Sequence, residues 1–127
     1  MTTPVTPSIP SGADLVTIAQ LAGRYRTSPR TIRRLEKDGH LIAARRRPDV
    51  AFSKDALAAF EGVDPATFDP GDGPLLTPRE VSARAAHSES RVKNAARRGR
   101  LAGVRVGRQW RFREADVRAW IATGART

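Results

Sequence analysis

A chain of 127 residues, 39% hydrophobic and only 6% aromatic, can hold two compact units of about 50 residues, but neither would bury a large core. Its net charge of +10 comes with 20 Arg among 23 basic residues, which favours a polyanionic partner and suits phosphates and guanine edges. The lack of cysteine excludes disulfides and thiolate metal sites and fits a reducing cytoplasm, and no apolar run approaches the roughly 18 residues of a membrane span.

Residues 1–12, MTTPVTPSIPSG, carry three Pro and almost nothing to bury, so they read as a disordered tail, and they lack the basic and apolar regions of a secretory signal. A first folded unit is expected over 13–61. Thr17 can cap a short helix over IAQLAG, a turn follows around Tyr25 to Thr27, and Ser28 can cap a second helix, PRTIRRLEKDG, with Pro29 in its first position and Gly39 closing it. Beyond it, Arg45, Arg46, Arg47, Pro48 and Asp49 make an irregular loop before Val50 and Phe52. Ser53 then caps a last helix, SKDALAAF.

Residues 62–74, GVDPATFDPGDGP, hold three Pro, three Gly and three Asp with no basic residue, the composition of an acidic, flexible linker. A second unit is expected over 75–124. Thr77, Pro78 and Glu80 form a capping-box pattern for a helix running to about Ala85. After a turn at Ala86 and His87, Ser88 caps ESRVKNAARRG, closed by Gly99. LAGVRVGRQWRF alternates apolar and polar residues as a β-hairpin does. A three-residue loop, Gly107 to Gln109, would pair Val106 with Trp110 and Val104 with Phe112, leaving Arg105 and Arg111 together on the other face. EADVRAWIA follows as a final helix ending before Gly124.

The two units correspond at a constant spacing of 60 residues: Leu15, Thr17, Arg24, Ser28, Gly39, Leu41, Arg45, Phe52 and Ala59 recur as Leu75, Thr77, Arg84, Ser88, Gly99, Leu101, Arg105, Phe112 and Ala119. These are mostly caps, turns and core positions, which two copies of one fold would keep. The order of helix, turn, helix, β-hairpin and helix resembles that of small winged-helix proteins, which implies a fold class mainly α with small β wings, a tandem winged helix-turn-helix with three helices and a two-stranded wing per copy.

The stretch LLTPREVSARAAHSESRVKNAARRGRLAGVRVGRQWRFREADVRAWI, with its G-R-Q-W-R-F wing and closing D-V-R-A-W-I, resembles an excisionase-family winged helix-turn-helix domain and is similar to the DNA-binding part of MerR-type regulators. TIAQLAGRYRTSPRTIRRLEKDGHL and FSKDALAAF carry the same resemblance in the first unit, whose wing departs from the G-R form. The resemblance implies double-stranded DNA as partner and a role as transcription factor or recombination directionality factor.

On the second helix of the first unit, Ile32 and Leu35 should face the core and expose Arg30, Thr31, Arg34 and Lys37. In the second unit, Val92, Ala95 and Ala96 should face inward and expose Ser90, Arg91, Asn94, Arg97 and Arg98. Arg30, Thr31, Arg34, Ser90, Arg91 and Asn94 are the expected base contacts, since Arg reads guanine and Asn reads adenine in the major groove. Lys37, Arg45, Arg46, Arg47, Arg97, Arg98, Arg105, Arg108 and Arg111 are the expected backbone or wing contacts, although Arg105 can equally pair with an acidic neighbour. Trp110, Trp120, Phe52, Phe60 and Phe112 are assigned to core rather than to a base-stacking surface. Tyr25 can touch a phosphate or pack.

His40 and His87 have no ligand cluster around them, and neither a phosphate-cradling glycine loop nor a catalytic carboxylate pair is present. No enzymatic activity, metal or cofactor is expected, and the protein should be cytoplasmic, on the nucleoid. The first unit carries +4 over 13–61 and the second +9 over 75–127. That difference leaves an alternative in which the first unit docks a partner such as integrase or RNA polymerase and only the second binds DNA.

Overall fold

The computed structural model describes residues 9, 10 and 12–127, so most of the tail expected over 1–12 lies outside the described residues. Among these there are six α-helices and two small antiparallel sheets of two strands each. They divide between two compact units that meet in sequence at Pro74 and Leu75.

In the first unit, strand β1 (Leu15–Thr17) runs directly into helix α1 (Ile18–Arg24) through Thr17. The hydroxyl of Thr17 accepts from the Gln20 amide at 3.2 Å while the Gln20 side chain accepts from the Thr17 amide at 2.9 Å, so two of the helix's free N–H groups are satisfied. A turn through Arg26, at φ 54°, leads to helix α2 (Pro29–Lys37), which Ser28 caps. Strand β2 (Ala51–Ser53) pairs with β1 in the register Val16 to Phe52, and Ser53 caps helix α3 (Lys54–Glu61). Val16, Leu21, Tyr25, Ile32, Leu35, Leu41, Phe52 and Leu57 form the core beneath α2. Tyr25 is thus a core residue, and Phe60 is only half-buried.

Among the described residues the first unit shows no two-stranded wing. Residues 45–51 form a loop closed by the single bridge Arg45 to Ala51, and β2 spends its pairing on β1 instead. Pro48 has no N–H to offer a ladder, and the three adjacent arginines are all exposed, so little holds a second strand there.

Residues 62–74 are more than the bare flexible linker their composition implies. Phe68 is buried, Asp69 caps a 3₁₀ turn (Pro70–Asp72), and Gly12 donates its amide to the Asp69 carboxylate at 3.1 Å. The guanidinium of Arg24 holds the segment from beneath, donating to the carbonyls of Pro70 at 3.1 Å and Gly73 at 3.0 Å and lying 5.3 Å from the Phe68 ring centre. A single aromatic with a buried cation under it outweighs the Pro and Gly around it.

The second unit opens with Leu76, whose amide and carbonyl both bond Phe112, at 2.7 and 2.9 Å. Thr77 and Glu80 form the capping box of helix α4 (Pro78–Ala85). Ala86, at φ 57°, turns the chain, and Ser88 caps helix α5 (Glu89–Arg97). Strands β3 (Val104–Val106) and β4 (Gln109–Arg111) make the wing, and helix α6 (Glu114–Ala122) closes the unit with two acidic residues in its first turn, where the helix dipole favours them. The core is Leu76, Val81, Val92, Ala95, Leu101, Phe112, Val117 and Trp120, with Trp110 half-buried against it. The chain end folds back on this core: Trp120 donates its indole N–H to the Arg126 carbonyl at 2.8 Å, and His87 Nε2 lies 3.0 Å from the Ala125 carbonyl.

The wing register differs from the expected one. Val104 pairs with Arg111, Arg105 with Trp110 and Val106 with Gln109, across a two-residue turn of Gly107 and Arg108. Gly107 stands at φ 63°, the positive value a II′ turn needs at its first central position. Phe112, released from Val104, pairs with Leu76 instead, and this third segment is what decides the register.

Candidate nucleic-acid interface

The face of interest in the second unit starts from one side-chain cap. Ser88 Oγ accepts from the Arg91 amide at 3.2 Å and fixes where α5 begins. With Val92, Ala95 and Ala96 buried, the helical period turns Ser90, Arg91, Arg97 and Arg98 to solvent and leaves Asn94 half-exposed beside them. Among the described residues, no hydrogen bond or ion pair engages the side chains of Arg91, Asn94, Arg97 or Arg98. They are free to meet a ligand.

Beside α5 lies an open cleft of about 510 Å³ between the start of α4, α5 itself and the wing. Six cations, Arg79, Lys93, Arg97, Arg105, Arg108 and Arg111, line it against one carboxylate, Glu89. Low-dielectric walls carrying charge of one sign concentrate the field and draw a polyanion in. Arg79 and Lys93 were not among the residues singled out from sequence: Arg79 belongs to the first helix of the motif, and Lys93 is half-buried next to Val92. The signal that could have found Arg79 is its place in the first turn after the Thr77 cap.

The revised register changes what the wing arginines do. Arg105 and Trp110 face each other across the strands, and the Arg105 guanidinium sits over the Trp110 ring at 4.9 Å, so its neighbour is aromatic rather than acidic. Arg108 stands exposed at the tip of the turn. Arg111, expected beside Arg105 on the outer face, is buried: it donates to the Trp110 carbonyl and to the Gln109 side chain, each at 2.7 Å. It braces the wing, because pairing with Val104 turns it to that residue's side of the sheet.

In the first unit, Ser28 Oγ caps α2 by accepting from the Thr31 amide at 3.2 Å and also lies 3.1 Å from the Thr31 hydroxyl. Thr31 is half-buried, and its hydroxyl lies against its own cap. Arg30, Arg34 and Lys37 are exposed, with no hydrogen bond or ion pair to their side chains among the described residues. The arginines of the loop expected as a wing are partly engaged at home: Arg46 pairs with Glu36 of α2 at 2.6 Å, and Arg45 Nε reaches the Asp49 carbonyl at 3.4 Å, while Arg47 is exposed.

The first unit also holds a charged cluster that sequence reasoning did not find. Arg24 and Glu61 are paired Nη2 to Oε1 and Nε to Oε2, both at 2.9 Å, and Tyr25 donates its hydroxyl to Glu61 Oε2 at 2.8 Å. Burial, then the Glu61 carboxylate, pushes the Tyr25 phenol well above its ordinary pKa. In the second unit Arg84 forms an exposed pair with Glu114, and that hydrogen bond raises the arginine's pKa and lowers the glutamate's.

Among the described residues no group of three or more His, Asp or Glu could hold a metal ion, and no helix is long and apolar enough to cross a membrane. Residues 75–125 match the family described as a helix-turn-helix domain, so the match spans the second unit from Leu75 to Ala125. No curated protein and no solved structure matches the chain.

Proposed function

We propose that the protein is a sequence-specific double-stranded DNA-binding regulator, of transcription or of excisive recombination, built from two helix-turn-helix units of excisionase or MerR type, the second of them winged. The observation that carries this reading is α5. A capped helix following a tight turn offers Arg91 and Asn94 unengaged beside a cation-lined cleft, within the segment that matches a helix-turn-helix domain. A helix presented this way fits the major groove, Arg91 and Asn94 have the donors and acceptors for base edges, and Arg79, Lys93, Arg97 and Arg108, which line the cleft beside it, are assigned to phosphates in this reading.

The two-unit reading draws support from spacing. Helices start at Ile18, Pro29 and Lys54 in the first unit and at Pro78, Glu89 and Glu114 in the second, 60 residues apart in each case. Phe52 pairs with Val16 just as Phe112, 60 residues on, bridges Leu76. The test is equilibrium binding of the full chain to duplex genomic fragments against duplex RNA and single-stranded DNA. Preference for duplex DNA, with some fragments bound far above the rest, is the expected outcome; equal binding to all three polymers would overturn it.

A second reading has one observation in its favour. In the first unit Arg45 and Arg46 are engaged internally while Ile42 nearby is 73% exposed, a combination that suits protein docking better than phosphate contact. Paired alanine substitutions in the full chain separate the readings: Arg30→Ala with Arg34→Ala lowers DNA affinity if both units read DNA, and leaves it unchanged if the first unit docks a protein.

A further inference from the structure

We propose that the two helices read different bases, so that the duplex recognised by the full chain is a composite of two unlike half-sites rather than a repeat of one. This rests on the DNA-binding reading above and specifies what that interface recognises.

The two helices can be aligned residue by residue without choosing a register. Both are nine residues long, and both begin after a serine whose hydroxyl accepts from the amide three residues on. Both bury the same two places, Ile32 and Leu35 in α2 and Val92 and Ala95 in α5. With cap and core matched, the outward positions match too, and there the chemistry diverges. Arg30 stands where α5 has Ser90, Thr31 where it has Arg91, and Arg34 where it has Asn94.

Those differences fall on the atoms that choose a base. The Arg34 guanidinium can fork onto guanine O6 and N7, whereas the amide of Asn94, at the same place, suits adenine N6 and N7. Arg30 and Arg34 lie one turn apart on one face, so α2 offers two guanine-reading forks. Arg91 and Asn94 offer one guanine reader and one adenine reader. Thr31 adds nothing in place of Arg91, since its hydroxyl lies on the cap at 3.1 Å. Among the described residues the side chains of Arg30, Arg34, Arg91 and Asn94 make no hydrogen bond or ion pair, so no internal side-chain contact must break first.

The experiment is selection of bound duplexes from a randomised library by the full chain, as wild type, Arg34→Asn and Asn94→Arg, with melting of each variant to establish that exposed substitutions leave the fold intact. Wild type should enrich two adjoining but different motifs, one with two guanine determinants and one with a guanine and an adenine. Arg34→Asn should turn one guanine in the first motif into adenine, Asn94→Arg should turn the adenine of the second into guanine, and each variant should bind the wild-type duplex roughly 10- to 100-fold more weakly. Two identical motifs, or a site that ignores Arg34→Asn, would overturn the composite site while leaving DNA binding in place. Enrichment of nothing by any of the three proteins would overturn the DNA-binding reading itself.

Discussion

The Arg24 guanidinium and the Glu61 carboxylate meet fork to fork inside the first unit, two hydrogen bonds of 2.9 Å between side chains that are 1% and 0% exposed. Removing one partner strands the other's charge away from water. Arg24→Ala or Glu61→Ala should therefore each cost about 3–5 kcal/mol of unfolding free energy, and replacing both at once by Met and Leu should cost less than either. Denaturant unfolding measures all three. Single losses of about 1 kcal/mol or less, as for an exposed pair, would mean that water reaches the site.

The same cluster makes the first unit sensitive to alkali. Burial raises the Tyr25 phenol above its ordinary value of 10.0, so the folded state favours the neutral form. That contribution is complete below the unfolded pKa and is lost as pH climbs through the folded one. Tyr25 is the chain's one tyrosine, so tyrosinate absorbance reports it alone. Ionisation should lag past the ordinary value and coincide with loss of helical circular dichroism. Titration near that value with the fold intact would contradict the buried hydrogen bond to Glu61.

Glu36 restrains Arg46 through a contact of 2.6 Å, and the corresponding position 60 residues on is Ala96. Glu36→Gln should free the arginine for phosphate and tighten duplex binding roughly two- to five-fold, the scale of one partly exposed ion pair. Fluorescence anisotropy on the full chain reads this directly. Weaker or unchanged binding would remove the loop over 45–51 from the interface.

Gly103 has no room for a side chain. A Cβ there would lie 2.9 Å from both Phe112 Cε1 and Trp110 Cε3, at the joint between wing and core. Gly103→Ala should destabilise the second unit by about 1–3 kcal/mol and disturb tryptophan fluorescence. A neutral melting profile would show that the two rings can move apart freely.

What the sequence made legible was local. The caps at Thr17, Ser28, Thr77 and Ser88 bond across three residues, and the buried stripes of α2 and α5 follow from helical period, so both could be read without knowing the fold. What stayed hidden depends on partners far away in sequence. Arg24 and Glu61 are 37 residues apart, and Phe68 holds down a segment whose Pro and Gly content argued for a free linker. Strand-against-strand alternation alone does not give the wing register, because Leu76 pairs with Phe112 through two hydrogen bonds from a third segment. That register buries Arg111, and the cleft is lined as well by Arg79 and Lys93 from α4 and α5.

The salt dependence of duplex binding tests the central claim most directly, because neutralising phosphates releases counterions in proportion to their number. If α5, α2, the wing and the arginine loop over 45–51 engage about six phosphates, the logarithm of the binding constant of the full chain should fall with the logarithm of salt at a slope of roughly −5, and Arg108→Ala should make that slope shallower by about 1. A slope near zero, or one that Arg108→Ala leaves unchanged, would contradict an interface made by these helices and the cation-lined cleft beside them.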